Sequence, residues 1–169
     1  MIMKKIFMIA CMMLASTAMF AEKGATTVGV HGAYIIDSPN NIGVGANVGY
    51  EVIDNLRGVA EFDYFLKKDD VSYWDVNVGA QYLFKLGDSF AIYPTAGIDL
   101  LGFKASYPEV TYMGQTVGGG SHSDSKIGLN VGAGVEYQLS SSLAIKAEYN
   151  YKTQWDGSSF LKVGVVIPF

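Results

Sequence analysis

Cysteine is almost missing from the 169 residues: Cys11 is the only one, so no intrachain disulfide framework is available. Charge is scarce too, at 17% of residues. A disordered, solvating chain would be charge-rich and aromatic-poor, and this one carries 11 Tyr, 9 Phe and 2 Trp. The Ala, Leu, Glu and Lys bias of a coiled coil is absent; 20 glycines and the tyrosines stand in its place. A formal charge of -4 leaves no basic face for nucleic acid. Beyond Gly24 no stretch repeats its apolar residues every 3.6 positions, so no amphipathic helix is expected. The length suits one domain and is short for two.

The N-terminus reads as an address. Lys4 and Lys5 precede an apolar run from Ile6 to about Leu14, followed by Ala15, Ser16, Thr17 and Ala18. That order is a secretory signal peptide. Cleavage is expected after Ala18 or Ala21, with Ala21 preferred, giving a signal segment 1–21 and one domain over 22–169. The apolar run falls short of the ~20 residues a helical span requires. Cys11 lies too close to Lys5 for a lipoprotein signal, so the exported chain is expected to hold no thiol. Losing Lys4 and Lys5 leaves 10 basic against 16 acidic residues, a charge of -6.

What is abundant is alternation. Ile42, Val44, Ala46, Val48, Tyr50 and Val52 fall on one side of a strand, and Gly43, Gly45, Asn47, Gly49 and Glu51 on the other. The same split separates Trp74, Val76, Val78, Ala80, Tyr82 and Phe84 from Asp75, Asn77, Gly79 and Gln81. It recurs near 127–137 and 143–152. Eight strands are expected, at about 26–36, 42–52, 56–66, 73–84, 90–102, 126–139, 143–152 and 158–169. Most match the ~9–11 residues of a tilted membrane-crossing strand. Turns after 52, 84 and 139 are tight, while 67–72, 103–125 and 153–157 read as loops on the opposite rim. The apolar face carries aromatics at both ends, as two membrane interfaces select. The fold class expected is therefore all-β: an eight-stranded, antiparallel, up-and-down barrel with a polar lumen. A soluble lipocalin-like binder would reverse the two faces.

Residues paired across an antiparallel hairpin have a constant sum of numbers. Val52 with Leu56 sets Glu51 opposite Arg57; Leu139 with Leu143 sets Glu136 opposite Lys146; Lys152 with Ser158 sets Glu148 opposite Lys162. Opposite charges facing across a ladder stabilise it. Phe65 with Tyr73 places Asp63 opposite Asp75, and Phe84 with Phe90 places Asp75 opposite Asp99. A row of Asp63, Asp75 and Asp99 admits two readings. One is a divalent-cation site. The other, favoured, is a salt-bridge network with Lys152, Lys162 and Lys126 reaching across, and it needs no metal and no cofactor. His31 is expected to face Asn47. No catalytic set emerges: Ser121, His122, Ser123 and Asp124 sit in a Gly/Ser stretch that is a poor scaffold for chemistry. A non-enzymatic protein is expected. Tyr107, Tyr112 and Met113 in 103–125 offer contact to a partner surface.

With these features the chain resembles the small eight-stranded outer-membrane barrels: the OmpX-like proteins, the membrane domain of outer membrane protein A, and the opacity-type porin family. The resemblance spans essentially 22–169. Its most specific mark is Lys162, Gly164, Ile167 and Phe169, which match the family's assembly signal in spacing and type. It implies a bacterial outer-membrane location, lipid and lipopolysaccharide as surroundings, and recognition by the barrel-assembly machinery. It also implies a structural or adhesion-like role, through a host or surface ligand at 103–125. The alternative is a narrow porin-like channel for small solutes.

Overall fold

The structure is a computed structural model that describes residues 24–37 and 40–169; the expected signal segment 1–21 lies outside the described residues. The strands are β1 (Thr26–Ile35), β2 (Asn41–Ile53), β3 (Leu56–Lys68), β4 (Val71–Tyr82), β5 (Phe90–Tyr112), β6 (Gln115–Ser140), β7 (Leu143–Lys152) and β8 (Ser158–Pro168). After Leu83, β4 resumes for two residues, Phe84–Lys85, still paired to β5. Each strand runs antiparallel to the next, and β8 returns to β1 through His31 opposite Gly164 and Ala33 opposite Lys162. The ring is thus closed and exposes no sheet edge within it.

Alternation decides which way each side chain points. Ile42, Val44, Val78, Ile98, Leu129 and Val163 all face outward and are exposed. Asn47, Glu61, Asp63, Asp75, Asp99, Lys152 and Lys162 face inward and are buried. Polar inside and apolar outside inverts a water-soluble barrel, and the outer wall is one that lipid covers. Outward aromatics mark both rims of that wall: Tyr50, Tyr82, Phe84 and Tyr137 toward one end, Tyr34, Phe62, Tyr64, Tyr149 and Tyr151 toward the other.

The barrel is capped at one end by a small apolar cluster. Ala33, Ile35, Phe65, Leu101 and Phe160 bury one another, with Tyr73 and Trp155 packed on top. The Phe65 and Phe160 rings meet edge to face, 5.7 Å between centroids. Such contacts add to the burial of two large rings.

Several loops are tighter than the sequence pattern suggests. The segment 103–125 is not a loop. β5 and β6 continue through it as a ladder, with Phe103 opposite Asp124, Ala105 opposite His122, Val110 opposite Val117 and Tyr112 opposite Gln115. Met113 (φ 51) and Gly114 (φ 78) close it with two consecutive left-handed residues, the turn that matches strand twist. β4 follows β5 only as far as Ala105. The seven residues from Ser106 to Tyr112 therefore carry the hairpin roughly 23 Å further at a strand's rise per residue. Both of its faces meet water, so the apolar–polar contrast that betrays a strand vanishes there. Likewise β3 and β4 run to a two-residue turn at Asp69 (φ 51) and Asp70 (φ 63), not to a loop over 67–72.

Two registers also differ from expectation. Ile35 faces Asn41, which puts His31 opposite Gly45, not Asn47. Phe84 faces Ile92, which puts Asp99 opposite Asn77 and Asp75 opposite Leu101. In both cases the turn keeps its five residues but its centre moves by one, from 39 to 38 and from 87 to 88, which shifts every opposite partner by two.

Candidate functional site

The ladder places Glu51 opposite Arg57, Glu136 opposite Lys146, and Glu148 opposite Lys162. The charges nonetheless bond elsewhere, across the lumen. Arg57 on β3 donates to both oxygens of Glu136 on β6, at 2.8 and 3.4 Å, while Glu51 stands 4.0 Å from it. Lys162 on β8 reaches Glu61 and Asp63 on β3, the latter at 2.6 Å. Lys146 comes within 3.7 Å of the other Glu61 oxygen. Glu148 instead accepts from Gln81 at 3.1 Å, from the Tyr93 hydroxyl at 2.9 Å and from Asn150 at 2.6 Å. A closed eight-stranded ring is narrow enough for a long side chain to span, so the best partner is across the lumen, not one rung away.

Higher up, Lys152 on β7 bridges Asp75 on β4 and Asp99 on β5, the latter at 2.9 Å. Gln154 donates to the Asp99 carboxylate at 2.7 Å and to its carbonyl at 2.9 Å. The Lys152 ammonium also lies 4.4 Å from the centre of the Phe160 ring, against the underside of the apolar cap. Asp63 and Asp75 face each other, as Phe65 opposite Tyr73 requires. The third aspartate is displaced from their row, and lysines part them. Lys126, expected to join the network, is exposed and forms no ion pair among the described residues. Three levels of cross-lumen bonds and one apolar cap thus stand between the two ends of the barrel.

His31 Nε2 lies 2.6 Å from Asp63 Oδ1, and its Nδ1 lies 3.3 Å from the Asn47 amide nitrogen. The imidazole thus bridges a carboxylate on β3 and an amide on β2. His31, Glu61 and Asp63 each offer a ligand atom within 4.8 Å of the others, but the Lys162 ammonium already fills the space between the two carboxylates. On the projecting hairpin, His122 and Asp124 share one side of the strand and Ser121 and Ser123 the other, so no Ser–His–Asp set forms. His122 packs beside Phe103, with centroids 6.1 Å apart.

Of the C-terminal quartet, Lys162 is buried in the lumen and Gly164 abuts the β1 backbone at Val30 and His31. Ile167 and Phe169 point outward, and the Phe169 amide donates to the Thr26 carbonyl at 2.8 Å. Asn130 and Asn150 lie inward, as alternation with Glu136 and Glu148 places them, and Tyr93 and Gln154 join them in the lumen without having been singled out by charge or motif.

The family model for the outer membrane protein beta-barrel domain matches residues 7–166. Solved structures share the fold at low identity. The N-terminal barrel of Pseudomonas aeruginosa OprF aligns with a TM-score of 0.67 at 17% identity, over 87% of this chain and 98% of that one. Neisserial surface protein A gives 0.66 at 19%, over 86% and 97%. Ail, the attachment invasion locus protein of Yersinia pestis, in complex with the heparin analogue sucrose octasulfate, gives 0.62 at 18%, over 87% and 99%. No curated protein sequence matches the chain.

Proposed function

The chain belongs to the outer membrane protein beta-barrel domain family, and from that premise we propose that it is a sealed barrel of the bacterial outer membrane whose work is done by its projecting hairpin. The observation that carries this reading is the tip of that hairpin. Val110, Tyr112 and Met113 are 61, 73 and 89% exposed there, and Tyr107, 62% exposed, stands nearer the base on the other face, on a stalk of paired strands anchored in a closed ring. Large apolar side chains grouped in water mark a contact surface more often than chance placement. A rigid scaffold presenting such a segment is the common arrangement for binding.

The partner's chemistry follows from the hairpin's charge. Between 103 and 125 stand Lys104 against Glu109 and Asp124, so this segment has no basic patch. A sulfated glycan, the class of ligand named for Ail, would find little here. An uncharged protein surface fits better, through aromatic contact. The test compares cells carrying the intact protein with cells in which 106–122 is replaced by a two-residue turn. Adhesion to protein-coated surfaces falls in the shortened variant, while retention on heparin is low for both. Equal adhesion would overturn the proposal.

The rival reading is a channel. The cross-lumen ion pairs and the Phe65–Phe160 cap argue against it. In planar bilayers the folded protein is expected to give no discrete conductance steps; regular steps would restore the channel.

A further inference from the structure

Above the apolar cap, the mouth of the barrel keeps a cavity of about 210 Å³ that lies apart from the tip of the projecting hairpin. Tyr73, Phe103, Trp155 and Phe160 bring four aromatic rings to its wall, and Ile35 and Leu101 bring two aliphatic chains. The rings are inclined to one another. Phe103 stands at 50° to Tyr73, with centroids 6.3 Å apart, and at 66° to Trp155, with centroids 5.7 Å apart. Rings set at such angles line a hollow, where stacked rings would fill it.

The turn that carries Trp155 is strained. Trp155 (φ 43), Asp156 (φ 70) and Gly157 (φ 89) are three consecutive left-handed residues between β7 and β8. That region is unfavourable for a bulky side chain, and strain of this kind gathers at ligand clamps. The surroundings hold it in place. The Gly157 amide donates to the Gln154 carbonyl at 3.0 Å, and the Gln154 side chain is tied to Asp99. A Cβ on Gly157 would strike the Tyr151 hydroxyl. The chain thus accepts strain in order to keep an indole, half-buried, over the mouth.

One carboxylate stands in this wall. Asp37, just beyond β1, accepts from the Ser159 amide through Oδ2, which fixes it at the rim. Among the described residues no lysine, arginine or histidine lines the cavity. Farther out on β6, Asp124 opposite Phe103 and Lys126 opposite Leu101 supply one charge of each sign. The aromatic cluster already draws a cation from below, where the Lys152 ammonium lies 4.4 Å from the centre of the Phe160 ring.

Aromatic faces beside a single carboxylate select a cation. The wall is mostly carbon, so a primary ammonium, strongly hydrated and with three donors to satisfy, would lose more than it gains. A quaternary ammonium has no donor to satisfy, and its methyl groups suit the aliphatic side chains. The volume is several times the ~30 Å³ share of one water and below the ~300 Å³ at which drug-sized sites begin, so the ligand is compact.

We propose that the barrel mouth binds a trimethylammonium group, the cation of choline-class molecules, with the rings of Tyr73, Phe103 and Trp155 around it and the Asp37 carboxylate beside it. The site does not depend on the adhesive reading of the hairpin tip.

The test uses the full barrel with Trp74→Phe, which leaves Trp155 as the sole indole, folded in a maltoside detergent that carries no ammonium group. Choline, tetramethylammonium and the neutral tert-butyl analogue of choline are titrated against the indole fluorescence, with NaCl as the salt control. Both cations are expected to shift the emission saturably. The neutral analogue has the same shape without the charge and is expected to bind roughly tenfold more weakly, the scale of a desolvated cation–π contact. Asp37→Asn keeps an acceptor for Ser159 and removes the charge; Phe103→Leu removes a ring and keeps an apolar side chain. Each variant is expected to retain the folded gel band that heating abolishes and to bind choline roughly tenfold more weakly. Two results would overturn the proposal. One is no saturable response to either cation beyond that to NaCl. The other is a neutral analogue that binds as tightly as choline, or two folded variants that bind choline as well as the parent, which would make the cavity a plain apolar hollow.

Discussion

Lys162→Met is the sharpest perturbation of the lumen. The lysine is fully buried, and its ammonium bridges Glu61 and Asp63. Methionine fills nearly the same space, so the change removes charge and leaves packing almost intact. Two carboxylates then share a site with only Lys146, 3.7 Å from Glu61, to offset them. Breaking a buried pair by deleting one partner costs about 3–5 kcal/mol, because the orphaned charge stays out of water. Equilibrium urea unfolding in lipid vesicles, followed by Trp74 and Trp155 fluorescence, reads that loss directly. A second substitution sharpens the test. Lys162→Met with Asp63→Asn restores the balance of this cluster, since Glu61 then pairs with Lys146 and the asparagine still accepts from His31. The double variant is expected to recover about 2 kcal/mol or more, the scale of coupling between neighbours in one network. The loss should persist in 1 M salt, since buried pairs are poorly screened. A single variant within about 1 kcal/mol of the parent, against the penalty expected for an orphaned buried charge, would refute the reasoning. So would a double variant no better than the single.

Phe160→Ala removes one of the two rings that close the cap; it should cost about 3–5 kcal/mol in the same assay, and a loss below about 1 kcal/mol would mean the cap is loosely packed. Phe169→Ala leaves an outward, 72% exposed ring position vacant; refolding into detergent should be unchanged while the amount of barrel in the outer membrane of cells falls severalfold, as expected if the residue is read by the assembly machinery and is not needed for the fold. Equal amounts in the membrane would remove Phe169 from that role.

Strand identity and facing were legible because the membrane enforces a two-residue period: Val44 and Asn47 lie on opposite sides, and nothing else in the pattern is as strong. Ladder register was legible where the turn was tight, as from Gln138 opposite Ala144 inward, although the expected Leu139–Leu143 pair gives way to an irregularity in which Ser140 faces Leu143. It failed for the turns after β1 and β4, whose centres lie one residue from the expected place, a difference that composition does not report; in the second, Gly87 is left-handed (φ 82). The hairpin beyond Ser106 was hidden for a different reason, since no apolar face survives in water. The ion partners were the least legible. Arg57 finds Glu136, 79 positions away, only once the ring has closed. Register shows neighbours one rung apart, and the closing curvature adds partners that no local spacing encodes.

A buried ionic lumen is weak as a source of stability, since well-packed apolar groups of the same volume often serve as well or better. Its value in this chain is specificity. The outer wall is apolar along every strand, so an apolar lumen would leave the two faces nearly equivalent. A strand that slipped by one residue would then meet little resistance, because a slip exchanges the two faces completely. With the present sequence, the same slip in β3 would send Glu61 and Asp63 into lipid and bring Phe62 and Tyr64 inward. Slipping β8 would expose the Lys162 ammonium, at a cost of about 2–4 kcal/mol for a lysine at the bilayer midplane. Every strand bearing an inward charge is locked in this way, and β2, whose mid-strand inner face is Gly43, Gly45, Asn47 and Gly49, is locked only by Glu51 and by the fit of its glycines. Gly45 sits directly under Asp63 Oδ1 and His31 Nε2, where no side chain has room. The polar groups of neighbouring strands thus dictate the register of the strand that has almost none.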